Sequence, residues 1–337
     1  MRRLFLVFLV FAAMLTMAAC RREVAEIPDE TPPPRISDHG AQAVEWINHI
    51  NDNFYSRLGF TYRELETAKW LVDELLAMGY NPDDIVIQEF EHFHNPFWPL
   101  DFEHMVDLPM FYGTNVRDSR LSQNVILTIP GQSDSVIIVG AHYDSVGYPG
   151  ASDNASGMAL LLESAYRMRE LDNYHTLVYI FFGAEEVGLI GAFYYIDSLT
   201  SYELDNIVFM LNADVLFEGT YFIYAAGQVG AGAILSNELT QKWDYMAYGL
   251  RNEHDLLLIP YYNGLNFGSD HIPFMQEGIT VIFLMGLEAA GNTFRPAILH
   301  SYRDDVHWIN ENRPGKIKDA MWTFSIFLEE ILLARYN

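Results

Sequence analysis

A strand-like apolar run, residues 176–182, stops at Gly183. Two adjacent carboxylates, Glu185 and Glu186, follow before apolar residues resume at helical spacing (Leu189, Phe193, Ile196). A strand feeding a helix through a short turn is the repeating unit of an α/β sheet, and the space beyond the strand's carboxyl end is where such sheets bind ligands. Two acids in a helix's first turn are also favoured simply by its positive end. The same kind of junction recurs with metal-type ligands elsewhere: His142 with Asp144, Asp153, Asp214 and, in a late loop, His300.

The rest of the chain fits around that unit. Asp38 is a candidate cap for a first helix carrying Ala41, Val44, Ile47 and Ile50 on one face, and a second helix over 62–79 ends at Gly79. A strand is expected over 84–93. Residues 94–120 show no period and are dominated by aromatic residues and proline (Phe97, Trp98, Pro99, Phe102), which reads as a long loop shaping a rim. Strands follow at 124–129 and 135–142, split by the turn signal Pro130-Gly131. Beyond them the pattern gives a helix over 154–169, the strand 176–182, a helix over 187–199, strands at 207–213 and 221–225, and a helix over 230–249. A short helix over 270–276, a strand at 280–285 and a closing helix after Pro314 complete it. Strands alternating with helices predict an α/β fold with a mixed, mostly parallel central sheet between helix layers.

Half of the 337 residues are hydrophobic, enough for a large core, and the formal charge of −25 excludes a nucleic-acid partner held by charge. Residues 1–19 read as a signal peptide: Arg2 and Arg3, then an apolar run from Leu4 to Met14 too short to span a bilayer, then small residues. Cys20, the only cysteine, follows Ala18-Ala19. That arrangement resembles a bacterial lipobox, so Cys20 is expected to carry a lipid that holds an exported protein on a membrane; Met17 departs from the usual pattern, and a plain secretory signal is the alternative. Residues 20–36, with Pro28, Pro32, Pro33 and Pro34, read as an extended tether, leaving 37–337 as one domain. With no second cysteine, any metal must sit on histidine and carboxylate.

The candidate ligands have ordinary readings beside the functional ones. Residues i and i+2 of an extended chain point the same way, so Asp144 can fix the imidazole of His142, as a ligand's outer partner or as a plain structural pair. Asp153 precedes a helix, where Asp is a common cap; alternatively its carboxylate bridges two ions about 3.5–4 Å apart. Asp214 ends an apolar strand, where a carboxylate is costly to bury unless paired or on a metal. His92 and His94 lack such company and read as structural. His271 opens a short helix beside Asp270.

Six blocks carry a resemblance over about residues 120–310. They are Gly140-Ala141-His142-Tyr143-Asp144-Ser145, Ser152-Asp153-Asn154-Ala155-Ser156-Gly157, Ala184-Glu185-Glu186-Val187-Gly188-Leu189-Ile190-Gly191, Leu211-Asn212-Ala213-Asp214, Ser269-Asp270-His271-Ile272-Pro273-Phe274 and His300-Ser301-Tyr302-Arg303-Asp304. Each is weak alone, but their order resembles the zinc aminopeptidase family M28. The resemblance implies two zinc ions, for which cobalt or manganese can substitute: one on His142, Asp153 and Asp214, the other on Asp153, Glu186 and His300. It also implies a cis Asp153–Asn154 bond, Glu185 as general base, and release of the N-terminal residue of peptides by an activated water. Where some members carry a tyrosine for the oxyanion, this chain has Leu299, which leaves Tyr302, Asp270 and His271 as candidate substrate or oxyanion contacts. Two rivals stand beside this reading. Glutaminyl cyclases share many of the blocks but use one zinc, and some receptor ectodomains keep the fold without catalysis.

Overall fold

The structure is a computed structural model, described here for residues 38–336 apart from 96–98, 112–113, 118, 231–232, 255, 257 and 292. The expected signal peptide, Cys20 and tether, and the rim residues Phe97 and Trp98, lie outside the described residues. The strands are β1 Ile85–Glu91, β2 Leu121–Ile129, β3 Ser133–His142, β4 His175–Phe182, β5 Ile207–Ala213, β6 Tyr221–Gly230, β7 Ala233–Leu235, β8 Leu258–Pro260, β9 Val281–Ala290 and β10 Thr293–Arg295. The helices are α1 Ala41–Asn53, α2 Tyr62–Ala77, α3 Phe102–Val106, α4 Ser156–Met168, α5 Ile190–Ser198, α6 Ser201–Asp205, α7 Glu238–His254, α8 His271–Gln276, α9 Val306–Asn312 and α10 Lys316–Leu333.

One sheet organises the chain, in the order β1-β2-β4-β3-β5-β9-β6-β7, with β8 on β6 and β10 on β9. Its centre is parallel: β4, β3, β5 and β9 run the same way, and antiparallel strands flank them on both sides. The central strands are apolar on both faces because both are covered. Alternation decides which side chain goes where. Ile137 and Val139 of β3 join the core under α1, α4 and α10, whereas Ile138 joins the core under α5 and α8. The predicted layers are therefore present, one on each face. A third cluster lies under the 94–120 segment, where Phe60, Phe90, Met105 and Phe111 pack on Ala184, Val187 and Ile190.

Three details differ from the sequence reading. Asp38 does not cap α1. The helix starts after Gly40, whose φ is 79°, and the buried carboxylate of Glu163 accepts the backbone N–H of Gly40 at 2.5 Å and of Ala43 at 2.8 Å. A remote anion meets the positive end of the helix, where four N–H groups need acceptors. The buried face is accordingly Ala43, Trp46, Ile47 and Ile50, while Ala41 is exposed. Second, the 230–249 helix begins only at Glu238, after β6 has run on to Gly230 and turned into β7; Asn237 caps it, its Oδ1 accepting from Thr240 N at 3.1 Å. Third, the 94–120 segment is not wholly irregular, since it contains α3 and a short turn of helix at Pro109–Phe111.

Parallel register lines up the carboxyl ends of the central strands. His142 pairs with Phe182, Gly140 with Asn212, and Ala213 with Leu284. Whatever follows those positions is brought to one edge of the sheet.

Candidate metal centre

Five segments converge at that edge. His142 is the last residue of β3, and its side chain is 1 % exposed. Its Nε2 lies 3.1 Å from Asp214 Oδ1 and 3.2 Å from Asp153 Oδ1, with Glu185 Oε2 at 4.0 Å. Its Nδ1 faces Asp144, 3.2 Å from the carbonyl oxygen and 3.4 Å from Oδ1. Asp144 therefore supplies the expected partner, and it has a second task. Its two carboxylate oxygens accept the backbone N–H groups of Glu185 (3.0 Å) and Glu186 (3.2 Å). The end of β3 thus straps down the turn after β4.

Asp153 stands in the irregular turn Ala151–Ala155 that precedes α4, and the Asp153–Asn154 peptide is cis. Its Oδ1 faces His142 and its Oδ2 lies 3.0 Å from His300 Nε2, so one carboxylate reaches two imidazoles. The capping role falls to its neighbour instead: Asn154 Oδ1 accepts from Gly157 N at 2.8 Å. Asp304 holds the turn from behind, accepting the N–H of Ser152 at 2.5 Å and of Asp153 at 3.1 Å. Glu186 Oε2 lies 3.1 Å from His300 Nε2, while its Oε1 accepts from Val146 N at 3.2 Å. Asp214 follows β5; its Oδ2 accepts from Ser269 Oγ at 2.8 Å, and that hydroxyl accepts from Asn212 Nδ2 at 2.8 Å.

Charge crowding explains the electrostatics. Burial pushes the Glu185 carboxyl well above its usual range, with the charge of Glu186 adding to it. Burial and the charge of Asp153 push Glu186 up to about 7. Burial would lower His142, but Asp214 and Glu185 hold it well above the ordinary imidazole value. Hydrogen bonds to Asp153 and Glu186 raise His300 to about 11. Burial opposes ionisation of Asp153, yet its bonds to the two imidazoles hold it below the usual carboxylate range.

A set of buried acids around two imidazoles fits a cation better than it fits protons alone. Among the described residues, two groups of donor atoms each fall within 4.8 Å of one another: His142, Glu185 and Asp214, and His142, Asp153 and Glu186. Oxygen and imidazole donors of this kind suit zinc, and also cobalt or manganese.

The other candidates separate. Asp270 is fully buried with neither carboxylate oxygen bonded to a described residue, and burial pushes it well up. His271 is a core residue: its ring lies 4.4 Å from that of Phe283, and burial lowers it to about 4. Tyr302 is 70 % exposed, and among the described residues no hydrogen bond joins it to the cluster. His94 pairs with Asp101 at 2.8 Å on the surface, and His92 packs edge-on against Phe60.

Two buried residues of the site carry no signal in sequence. Arg57 donates to the carbonyl oxygens of Tyr143 (2.8 Å), Pro149 (2.6 Å) and Gly150 (3.2 Å). Burial lowers its guanidinium to about 10, against the fields of Asp144, Asp304, Asp153 and Glu186. Glu64 accepts from Ala184 N at 3.1 Å, Phe60 N at 2.7 Å and Ser122 Oγ at 2.6 Å, fixing the turn just before Glu185. Thr61, Glu64 and the apolar spacing after them mark only a capped helix.

An α/β sheet whose parallel centre delivers histidines and carboxylates to its carboxyl edge defines the class of metal-centred α/β proteins. The model of peptidase family M28 matches residues 124–325, and the chain belongs to that family. Aminopeptidase YwaD of Bacillus subtilis is 33 % identical over 188 residues, 55 % of this chain but only 39 % of that relative's length. A zinc aminopeptidase of Bacillus subtilis has the same fold, with a TM-score of 0.67 at 17 % identity over 88 % of this chain and 96 % of that one. So does a glutaminyl cyclase from an Acidobacteriales bacterium, with a TM-score of 0.61 at 18 % identity over 90 % and 98 %.

Proposed function

We propose that the protein is an exported metallo-aminopeptidase that removes N-terminal residues from peptides. The observation that carries the reading is the shared carboxylate of Asp153, whose two oxygens face His142 and His300. In this reading His142, Asp153 and Asp214 hold one zinc ion, and Asp153, Glu186 and His300 hold a second. The ions would supply Lewis-acid polarisation of the substrate carbonyl and a lowered pKa for water.

Glu185 is left free of the two ligand sets and acts as the base. Burial raises its proton affinity, which suits a group that must take a proton from water and pass it to the leaving amine. Its position is set by the backbone bonds of Asp144 and, one residue earlier, of Glu64. A cavity of about 250 Å³ opens from Glu185 and Asp214 and is walled by Phe267, Phe283, Met285 and Leu299. Those walls suit an apolar N-terminal side chain. The apolar segment ending at Cys20 supports export and a lipid anchor; replacing Cys20 with Ser is expected to abolish lipid labelling and membrane partition.

The test is metal content measured beside amino-acid release from unblocked peptides. About two zinc ions per chain with stepwise N-terminal release is the expected result. One tightly held ion, with pyroglutamate formed from N-terminal glutamine, would move the assignment to the cyclases. Tight peptide binding without turnover would move it to the non-catalytic members of the fold.

A further inference from the structure

The apolar cavity is not the only space at the centre. Glu186 and His300, which line that cavity, also line a second one of about 650 Å³, bounded further by Pro109, Met110 and Gly147. Met110 and Gly147 also bound a third, about 430 Å³, which continues past Tyr55 and Thr114 to Arg63 and Glu66. The two cavities adjoin at those residues and are read together as a groove. It leads away from the centre along the N-terminal segment and the 94–120 segment, and most of its wall precedes residue 124, where the family match begins.

We propose that this groove receives the part of a peptide downstream of the cleaved bond, and that Arg63 binds the free carboxylate at its end. The inference rests on the aminopeptidase reading and adds a substrate class: short peptides with an unblocked C-terminus. The argument is one of direction and charge. If the N-terminal side chain enters the apolar cavity, the second cavity that Glu186 and His300 also line gives the leaving chain a path out, and the groove starts there. The groove then becomes more polar, with Ser56, Thr61, Thr114 and Asn115 along it, as a peptide backbone requires. On a chain with 45 acids and 20 lysines and arginines, the guanidinium of Arg63 is a local exception. Its pair with Glu66, 3.0 Å apart, is half exposed on both sides, and an exposed pair of this kind is cheap to exchange for an incoming carboxylate. Arginine is suited to that exchange because its fork binds carboxylate oxygens two at a time.

The experiment compares kcat/KM for Leu-Gly-Gly-Gly as the free acid and as the C-terminal amide, with leucine p-nitroanilide as a substrate that has no downstream residues. The expected ratio of free acid to amide is about tenfold, the contribution of one charge-assisted hydrogen bond. In Arg63→Gln the ratio should fall to about one, and Arg63→Lys should restore part of it. Release of leucine from all three with equal kcat/KM for acid and amide overturns the groove assignment alone, as does an Arg63→Gln enzyme that keeps the wild-type ratio. No release of leucine from any of them overturns the aminopeptidase reading, and the groove assignment falls with it.

Discussion

In the proposed reading the centre has two halves that meet at Asp153. The His142 half is built on strand ends and is the more buried: its imidazole is 1 % exposed, and Asp214 is tied through Ser269 to Asn212. The His300 half is built on a loop and open. His300 has a positive φ of 51°, its side chain is 49 % exposed, and it pairs with the carboxylates of Asp153 and Glu186, which it would share with an ion. Side chains on sheet strands are held more firmly than side chains on loops. The closed half is therefore suited to keeping an ion, and the open half to admitting substrate beside one.

Four experiments press on that contrast. In the proposed reading Glu185 ligates neither ion although it lies beside His142 and Asp214, so Glu185→Gln should retain both ions and still bind substrate while kcat falls by about 10²–10⁴. Near-normal turnover would remove the proposed base. The second experiment sets His142→Ala against His300→Ala. The closed-half variant should lose metal affinity by more than the roughly 100-fold that loss of an outer partner costs, and should also be the less stable apo-protein. The open-half variant should keep about one ion. Equal losses, read by elemental analysis and thermal melting, would mean the halves are not distinct.

Third, Ser269→Ala removes one bond to Asp214 and touches nothing in the open half. Metal affinity should drop about 10- to 100-fold at one site only; a change at both would show the halves to be coupled. The smallest effect concerns protons. His142 and His300 are held above the ordinary imidazole value in the metal-free site, and each must be neutral to ligate. Zinc uptake at pH 7 should therefore release protons, and apparent affinity should weaken as pH falls. Dialysis against a chelator should empty the open half first. A single-phase loss of both ions, followed by stopped-flow dye release, would contradict the contrast.

The centre was legible in sequence where a short apolar run ends in a ligand-type residue. His142, Asp214 and the Glu185-Glu186 pair each follow a strand, and a parallel sheet carries strand ends to one edge. Asp153 was legible only as a choice: Asp and Asn cap helices equally well, and the fold gives the capping bond to Asn154 and sets the Asp153 carboxylate between two imidazoles. Arg57 and Glu64 left no trace, and Asp304 appeared only as the end of a resemblance block, because the partners that give each its role are remote. Arg57 reaches a carbonyl 86 residues away, Glu64 an amide 120 away and Asp304 an amide 152 away. Periodicity reports neighbours in a helix or strand, and it is silent about such closures. The cap on α1 failed for the same reason, since the anion that meets it is Glu163 and not the nearby Asp38. The start of α7 was a different error. The pattern after Ala225 gave no sign that β6 ran on to Gly230 and paired with β7.

The position of Arg57 bears on how such a centre can be moved. Its guanidinium ties Tyr143, Pro149 and Gly150, on either side of the residues that face Glu186, to a point near the start of the fold. Family M28 is recognised from residue 124 onward, yet a graft cut there would leave those carbonyls without a donor and the acids without their only fully buried arginine among the described residues. A transplantable unit must therefore reach back at least to Arg57.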